Sequence, residues 1–179
     1  MKLNCIKLSP AYVYCYLKLE GIARMLDFGF EGSQYFLIME LLGESLEDLM
    51  DKQGRKFTIA TVFRIGLQII DRLEAIHKKG FIHRDIKANN FMVGKNEKRD
   101  TVFIIDFGLA KRYMDTKTGQ HIPFKEGKSL VGTARYASIA SHQGKEQGRK
   151  DDLESLGFLL LYFARGKLPW QGIQIKNKT

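Results

Sequence analysis

Short apolar runs near the start of the chain predict a pair of β-strands. Two apolar stretches, 24–30 and 35–39, are rich in aromatic and branched residues and are separated by Glu31, Gly32 and Ser33. Short runs of this kind on either side of a glycine-containing turn are typical of a hairpin. We therefore expect the two stretches to pair.

Further along the chain the apolar period changes to that of helices. Thr58 is a candidate N-cap and Gly80 a candidate stop signal, and apolar residues recur at helical spacing between them. These residues are Ile59, Val62, Phe63, Ile69, Ile70, Leu73 and Ile76. A second helix is predicted over 152–164, with its leucines buried on all sides: Leu153, Leu156, Leu160 and Leu161. The intervening segment, with Gly119, Gly127 and Gly132, is predicted to be rich in loops.

Residues whose side chains could take part in catalysis are concentrated between the two helices. His83-Arg84-Asp85 is followed by Asn90 and then by Asp106-Phe107-Gly108, with apolar runs at 91–93 and 102–105. Asp85 would accept or orient a substrate hydroxyl, while Asn90 and Asp106 would hold the magnesium ions that bridge the ATP phosphates. Each tripeptide also occurs by chance in unrelated chains. The ordered set in its apolar context nevertheless predicts the catalytic core of a protein kinase.

Several segments resemble the casein kinase I family of serine/threonine kinases. They are 39–43, 45–49, 106–113, 120–123, 132–139, 151–157 and 168–172. Most kinases carry Ala-Pro-Glu where this chain has Ala137-Ser138-Ile139. Casein kinase I has Ser-Ile-Asn there, so Ala140 departs from the family pattern. The resemblance runs from about residue 21 to residue 172, and it implies that residues 106–140 form an activation segment.

The resemblance implies an α+β, kinase-like fold, with a mainly helical large lobe and an incomplete small-lobe β-sheet. It also implies an ATP site in which adenine meets backbone groups of Glu40 and Leu42. The remaining nucleotide contacts that it implies are Met39 as gatekeeper, Met92 and Ile105 lining the pocket, and Asp48 beside the ribose.

Other roles follow from the same resemblance. Lys87 would contact the transferred phosphate, and together with Thr133 it is typical of serine/threonine kinases. His83 and Phe107 would pack, and Asp152 would orient the backbone of the catalytic loop, residues 83–90. Two anion sites are implied, one of Arg135 and the Gly172 amide, the other of Arg84, Lys111 and Lys128. Arg84 could instead be a solvated surface charge.

Both ends of the chain depart from the family. No Gly-x-Gly-x-x-Gly precedes Met39, and the family continues beyond residue 172 with further helices. We expect one partial kinase domain over 1–179, with these parts: an atypical leader (1–20), a small-lobe remnant and hinge (21–42), a large lobe truncated after its central helix (43–172) and a tail (173–179). Lys7 could be the phosphate lysine, because residues 5–8 resemble the end of the lysine strand; an unrelated leader is the alternative.

Composition restricts the partners. The 179 residues are 44% hydrophobic and 27% charged, which is ordinary for a globular protein. The net charge of +9 falls largely within residues 111–150. The sequence shows no alternation of aromatic and basic residues of the kind that binds single-stranded nucleic acid, so the charge favours acidic protein substrates over nucleic acid. Cys5 and Cys15 have neither metal nor disulfide spacing, which suggests the cytoplasm or nucleus. No apolar run approaches the length of a membrane span. Oligomeric state is left open.

Three hypotheses follow for the chain. The first is a serine/threonine kinase of acidic or phosphate-primed proteins, supported by the set Asp85, Lys87, Asn90 and Asp106. The second is an inactive, kinase-derived binding module, supported by the missing glycine-rich loop and the uncertain lysine. The third is an incomplete gene product, supported by the family segments that are missing at both ends. We expect the family function to be that of a kinase, and transfer by this chain alone to be weak.

Overall fold

The predicted hairpin forms the first sheet. The computed structural model describes residues 13–14, 17, 19–32, 34–115 and 117–173. β1 (Met25–Glu31) and β2 (Gln34–Met39) pair antiparallel, in a register that runs from Met25 opposite Met39 to Glu31 opposite Gln34. The pairing prediction is confirmed, although Ser33 of the turn lies outside the described residues. Among those residues every sheet has two strands, as expected for an incomplete small-lobe sheet.

Four α-helices follow the hairpin in the described part of the chain. They are α1 (Leu46–Lys52), α2 (Ile59–Lys78), α3 (Ile139–His142) and α4 (Arg149–Arg165). Thr58 caps α2 as predicted, since its hydroxyl accepts the Thr61 N–H at 3.2 Å. α1 begins with a capping box, in which the side chains of Ser45 and Asp48 each accept the backbone N–H of the other.

The core lies where α2 packs against α4. Val62, Ile69, Leu73 and Ile76 of α2 are buried, and Gly66 allows the Leu160 side chain of α4 to approach closely, because a Cβ there would lie 3.3 Å from it. The remaining predicted apolar positions of α2 are exposed: Ile59, Phe63 and Ile70.

The prediction that α4 is buried on all sides is wrong. Leu153 and Leu161 are 48% and 51% exposed, whereas Leu156, Leu159 and Phe163 are buried. α4 therefore buries one broad face, and within the described chain its opposite face is open to solvent.

A pair of strands far apart in the sequence and a short hairpin flank the motif residues. β3 (Phe81–Ile82) pairs with β6 (Lys111–Arg112), and β4 (Phe91–Val93) pairs with β5 (Val102–Ile104), both antiparallel. Phe91 lies opposite Ile104. Residue 90 and residues 105–106 are therefore neighbours at one end of the second hairpin.

Part of the predicted leader is built into the core. Val13, Tyr14 and Leu17 have helical backbone and are 6%, 4% and 1% exposed. The Tyr14 ring packs edge-on against Phe107 at 4.9 Å between centroids. Tyr14 therefore supports the segment that follows β5. None of the helices in the described ranges has the length and apolarity to cross a membrane.

Candidate active site

The Asp85 carboxylate is held from two sides. Its Oδ2 accepts hydrogen bonds from Lys87 Nζ at 2.7 Å and from Asn90 Nδ2 at 3.1 Å. Its Oδ1 accepts the Thr133 N–H at 3.0 Å and the Thr133 hydroxyl at 2.8 Å. Residues of the catalytic loop and of the activation segment thus fix the same carboxylate.

This environment keeps Asp85 ionised. Burial alone would raise the pKa of Asp85, but the hydrogen bonds from Lys87, Thr133 and Asn90 outweigh it, so the pKa lies below its usual value of 3.8. A carboxylate whose pKa is lowered is a weaker base. The arrangement therefore suits orientation of a substrate hydroxyl better than removal of its proton before the reaction begins.

Asp152 of α4 fixes the backbone of the catalytic loop. Its Oδ1 accepts the Arg84 N–H at 2.8 Å, and its Oδ2 accepts the His83 N–H at 2.9 Å. His77 Nε2 lies 2.7 Å from the same Oδ2. Arg84 has a left-handed φ of 67°, which is costly for a residue with a Cβ. The expected orienting role of Asp152 agrees with these contacts.

The activation segment lies directly against this strained residue. Gly132 has a φ of 94°, and a Cβ at this position would collide with the Arg84 carbonyl oxygen. Only glycine meets both conditions without strain. The backbone next to Thr133 can therefore come close enough for Thr133 to reach Asp85.

His83 is a packing residue with a fixed tautomer. It is fully buried, and burial lowers its pKa, so the ring is neutral. Its Nδ1 accepts the Asp85 N–H at 3.3 Å, which leaves Nε2 as the donor to the Ile105 carbonyl oxygen at 3.1 Å. The ring also packs against Phe107 at 5.2 Å. These contacts agree with the structural role expected for His83 and Phe107.

Asn90 and Asp106 meet at the end of the β4–β5 hairpin. The Ile105 N–H donates to the Asn90 carbonyl oxygen at 2.9 Å, and Asp106 follows immediately with a left-handed φ of 61°. Tyr14 and Gly108 hold Asp106: the Asp106 N–H donates to the Tyr14 hydroxyl at 2.9 Å, and its Oδ1 accepts the Gly108 N–H at 3.1 Å. The structure brings the predicted metal ligands to one end of the hairpin.

The donor atoms fit magnesium. Asn90 Nδ2 donates to both the backbone and the side chain of Asp85, so the amide oxygen is the atom that can bind a cation. Asp106 adds an exposed carboxylate. In the described part of the chain no group of three or more His, Cys, Asp or Glu forms a cage. Magnesium does not need one, because it usually binds one or two protein oxygens together with phosphate and water.

The predicted adenine residues border one apolar cluster, which is the main hydrophobic core of the described chain. Leu42 is buried, and Met39, Met92 and Ile105 pack against the same core. Backbone hydrogen bonds join the hinge to β4, from the Gly43 N–H to the Val93 carbonyl at 2.7 Å and from the Val93 N–H to the Glu44 carbonyl at 2.9 Å.

The two acidic residues of the predicted nucleotide site have structural contacts of their own. The Glu40 side chain accepts the Arg24 N–H at 2.8 Å and bonds Lys98 Nζ at 3.2 Å. Asp48 is the partner of Ser45 in the capping box of α1. The hydrogen bond from the Ser45 side chain is the main cause of the lowered pKa of Asp48. Lys7, the candidate phosphate lysine, lies outside the described residues.

Arg135 and Gly172 line one groove. It has a volume of about 820 Å³, and Phe158, Trp170 and Ile139 contribute its apolar lining. The Trp170 indole N–H donates to the Arg135 carbonyl oxygen at 2.8 Å. The two components of the first predicted anion site are therefore neighbours.

The second predicted anion site contains a residue that sequence reasoning missed. Lys111 Nζ lies 2.6 Å and Lys128 Nζ 3.8 Å from the carboxylate of Glu146, whose side chain is 7% exposed. Glu146 also raises the pKa of Arg84, although burial lowers it more. His77, which contacts Asp152, is a second residue of this kind. Neither the Lys111–Glu146 contact nor the His77–Asp152 contact could be predicted from the local sequence, because the partners are 35 and 75 residues apart.

A comparison with protein families agrees with the geometry. The family model described as "Protein kinase domain" matches residues 12–179. The match extends beyond the 21–172 range of the resemblance and includes the buried Tyr14. The expected kinase-like α+β fold is confirmed, and ATP and Mg²⁺ are the substrate and metal that such domains generally use. The chain therefore belongs to the protein kinase domain family.

Proposed function

We propose that the chain is a serine/threonine kinase of casein kinase I type, which transfers the γ-phosphate of ATP to acidic or phosphate-primed proteins. The observation that carries this proposal is the constellation at Asp85. A carboxylate fixed by Lys87, Asn90 and Thr133 can orient a hydroxyl while a lysine stands next to the transferred group.

The lowered pKa of Asp85 supports an orienting part in the reaction. The carboxylate stays ionised and accepts a hydrogen bond from the substrate hydroxyl, which aims the oxygen at the phosphorus. It receives the proton late, when the new O–P bond has made the hydroxyl acidic. This agrees with a loose phosphoryl-transfer transition state, in which positioning contributes more than deprotonation.

Asn90 and Asp106 would hold magnesium, which neutralises charge on the ATP phosphates when it is bound. Their own part is positional. The β4–β5 hairpin sets the backbone positions of the two residues, and the Tyr14 hydroxyl accepts the Asp106 N–H. The apolar cluster of Leu42 and Met92 would receive the adenine.

Charge supports the proposed substrate class. The net charge is +9, and the exposed Arg135 lies in the groove with the Gly172 amide. A guanidinium beside a backbone N–H is suited to a phosphate or carboxylate on a bound peptide. Substrates of this kind are expected in the cytoplasm or nucleus.

The experiment is transfer of labelled γ-phosphate to casein by the purified 179-residue protein with Mg²⁺, followed by identification of the modified residues. We expect phosphoserine and phosphothreonine, and loss of the signal in Asp85→Asn. Binding of a fluorescent ATP analogue, measured in parallel, separates loss of binding from loss of transfer. Label that persists in Asp85→Asn, or that appears only on tyrosine, would contradict the proposal.

A further inference from the structure

Tyr162 of α4 lies against two arginine side chains that come from distant parts of the chain. The residue is fully buried, and the guanidinium carbons of Arg55 and Arg135 each lie 5.8 Å from its ring centroid. Arg135 lies at the same distance from the ring of Tyr136, which meets the Tyr162 ring edge-on at 5.6 Å. A guanidinium within about 6 Å of an aromatic ring is attracted to it electrostatically. Tyr136 and Tyr162 therefore form a support for Arg135, the tyrosine platform.

The hydroxyl of Tyr162 is held by two charged residues. It donates to Glu47 Oε1 at 2.9 Å and accepts a hydrogen bond from Arg55 Nη2. Arg55 Nη1 donates to the same Glu47 oxygen at 3.1 Å, which closes a triangle of hydrogen bonds. Because tyrosine has only two side-chain torsions, contacts at both its ring and its hydroxyl fix the orientation of the side chain.

The backbone places Arg55 beside Tyr162. Gly166 ends α4 with a left-handed φ of 79°, and a Cβ at this position would lie 2.6 Å from the Arg55 carbonyl oxygen. The Gly166 N–H donates to the Tyr162 carbonyl at 2.8 Å, and the Phe57 N–H donates to the Phe163 carbonyl at 2.8 Å. The segment that follows α1 is thus attached to the end of α4 before any side-chain contact is counted.

Glu47 balances the charge around the Tyr162 ring. Burial raises the pKa of Tyr162 above its usual value and Glu47 raises it further, so the hydroxyl keeps its proton and donates to the carboxylate. Glu47 also forms an ion pair with Arg55. In the described part of the chain no carboxylate forms an ion pair with the exposed Arg135. The tyrosine platform therefore holds the Arg135 charge and leaves it available to an external anion.

We propose that Tyr162 is a positioning residue, which holds the Arg135 guanidinium ready for an anionic group of the substrate, and that Glu47 and Arg55 fix Tyr162 in this role. The orientation of the substrate-side charge then depends on α1, the helix that carries Glu47. This rests on the proposed function, because it assigns Arg135 to substrate binding.

The first test measures the rate at which phenylglyoxal modifies Arg135, by mass spectrometry of peptides from the 179-residue protein. The variant is Tyr162→Phe, which keeps the ring and removes the hydroxyl. The matched control is Tyr113→Phe, because Tyr113 is 1% exposed and its hydroxyl donates to the His77 carbonyl at 2.8 Å. We expect modification of Arg135 to be about threefold faster in Tyr162→Phe, as for a weakened cation–π contact, and unchanged in Tyr113→Phe. The exposed Arg64 should react equally in all three proteins.

The second test measures KM and kcat with a phosphate-primed and an unprimed peptide. We expect Tyr162→Phe to raise KM for the primed peptide about threefold, and to leave kcat and the other KM within about twofold. The double variant Tyr162→Phe/Arg135→Ala should equal Arg135→Ala, because Tyr162 acts through Arg135. A structural defect would instead change both peptides together.

An unchanged Arg135 rate in Tyr162→Phe, or the same increase in Tyr113→Phe, would overturn the proposal, and so would equal effects on the two peptides. If neither peptide is phosphorylated, the proposed kinase function fails and protection decides. The primed peptide should then slow modification of Arg135 in the parent and slow it less in Tyr162→Phe, and equal protection overturns the positioning role. If Tyr162→Phe does not fold, Glu47→Gln replaces it in both tests, with the same expected changes and the same contrary outcomes.

Discussion

Thr133 donates two hydrogen bonds to Asp85. Its backbone N–H and its hydroxyl both bond the same carboxylate oxygen, at 3.0 and 2.8 Å. The two residues are 48 positions apart. The position of the proposed catalytic carboxylate therefore depends directly on the position of the activation segment.

Replacement of Thr133 by valine should remove the hydroxyl contact and keep the shape of the side chain. We expect kcat to fall about tenfold, because a hydrogen bond to a charged group contributes about 1.5 kcal/mol or more. Thr133→Ser, which keeps the hydroxyl, should lie within about threefold of the parent. Equal loss of kcat in the two variants would argue against a role for the hydroxyl.

Replacement of Asp152 by asparagine should destabilise the large lobe. The side chain of Asp152 is almost fully buried, and it accepts from two backbone N–H groups and contacts His77. An amide would direct its own N–H at one of these donors. We expect a loss of about 3 kcal/mol and a fall in Tm of about 9 °C in calorimetry. Asp71→Asn, on the exposed face of α2, should leave Tm within about 1 °C.

Asp106→Asn should abolish magnesium-dependent transfer with little effect on folding, because Asp106 is exposed. Loss of a charge that neutralises phosphate should lower kcat at least about 10²-fold. The measurement is the rate of transfer as a function of Mg²⁺ concentration, with Asp100→Asn as the exposed control. A variant that regains the parent rate at high Mg²⁺ would show that Asp106 affects only metal affinity.

The free energy of unfolding should fall in acid, and part of this fall should come from protonation of Asp85. Burial would raise its pKa, but its hydrogen bonds lower it below 3.8 in the folded state, so the unfolded chain binds the proton more tightly. The stabilisation is therefore complete above the unfolded value and is lost as pH falls through the lower folded value. In denaturant titrations across this range, Asp85→Asn should lose less stability than the parent. Asp71→Asn should follow the parent, and identical slopes for all three proteins would contradict the linkage.

Arg135→Ala should discriminate between primed and unprimed peptides. Its guanidinium lies 5.8 Å from the ring centroids of Tyr136 and Tyr162, and the residue lines the same groove as Gly172. We expect KM for a phosphate-primed peptide to rise about tenfold, as for loss of one charge-assisted contact. KM for an unprimed peptide should stay within about twofold. Equal effects on both peptides would remove Arg135 from the priming site.

Local residue patterns predicted strands and helices, whereas helix burial and the geometry of the site depend on contacts between distant segments. The hairpin, the Thr58 cap and the apolar face of α2 follow from residue spacing within one element. Exposure of Leu153 and Leu161 could not be predicted in this way, because burial of a helix face depends on which other segments cover it. The site shows the same division. The order of Asp85, Asn90 and Asp106 is visible in the sequence, whereas the contacts of Thr133, His77 and Glu146 arise only when α4 and the activation segment fold back.

The left-handed backbone at Arg84 has a consequence for how the protein acquires activity. The conformation is costly by about 1–3 kcal/mol, and the Asp152 contact that holds it comes from 68 residues later in the chain. The neighbouring turn at Asp106 depends on Tyr14, which is 92 residues earlier. During synthesis the whole motif leaves the ribosome before α4 exists, so at that stage it carries the right residues without the right geometry. Because contacts at such separations form late in folding, competence for the reaction should appear as one of the last events, together with the docking of α4.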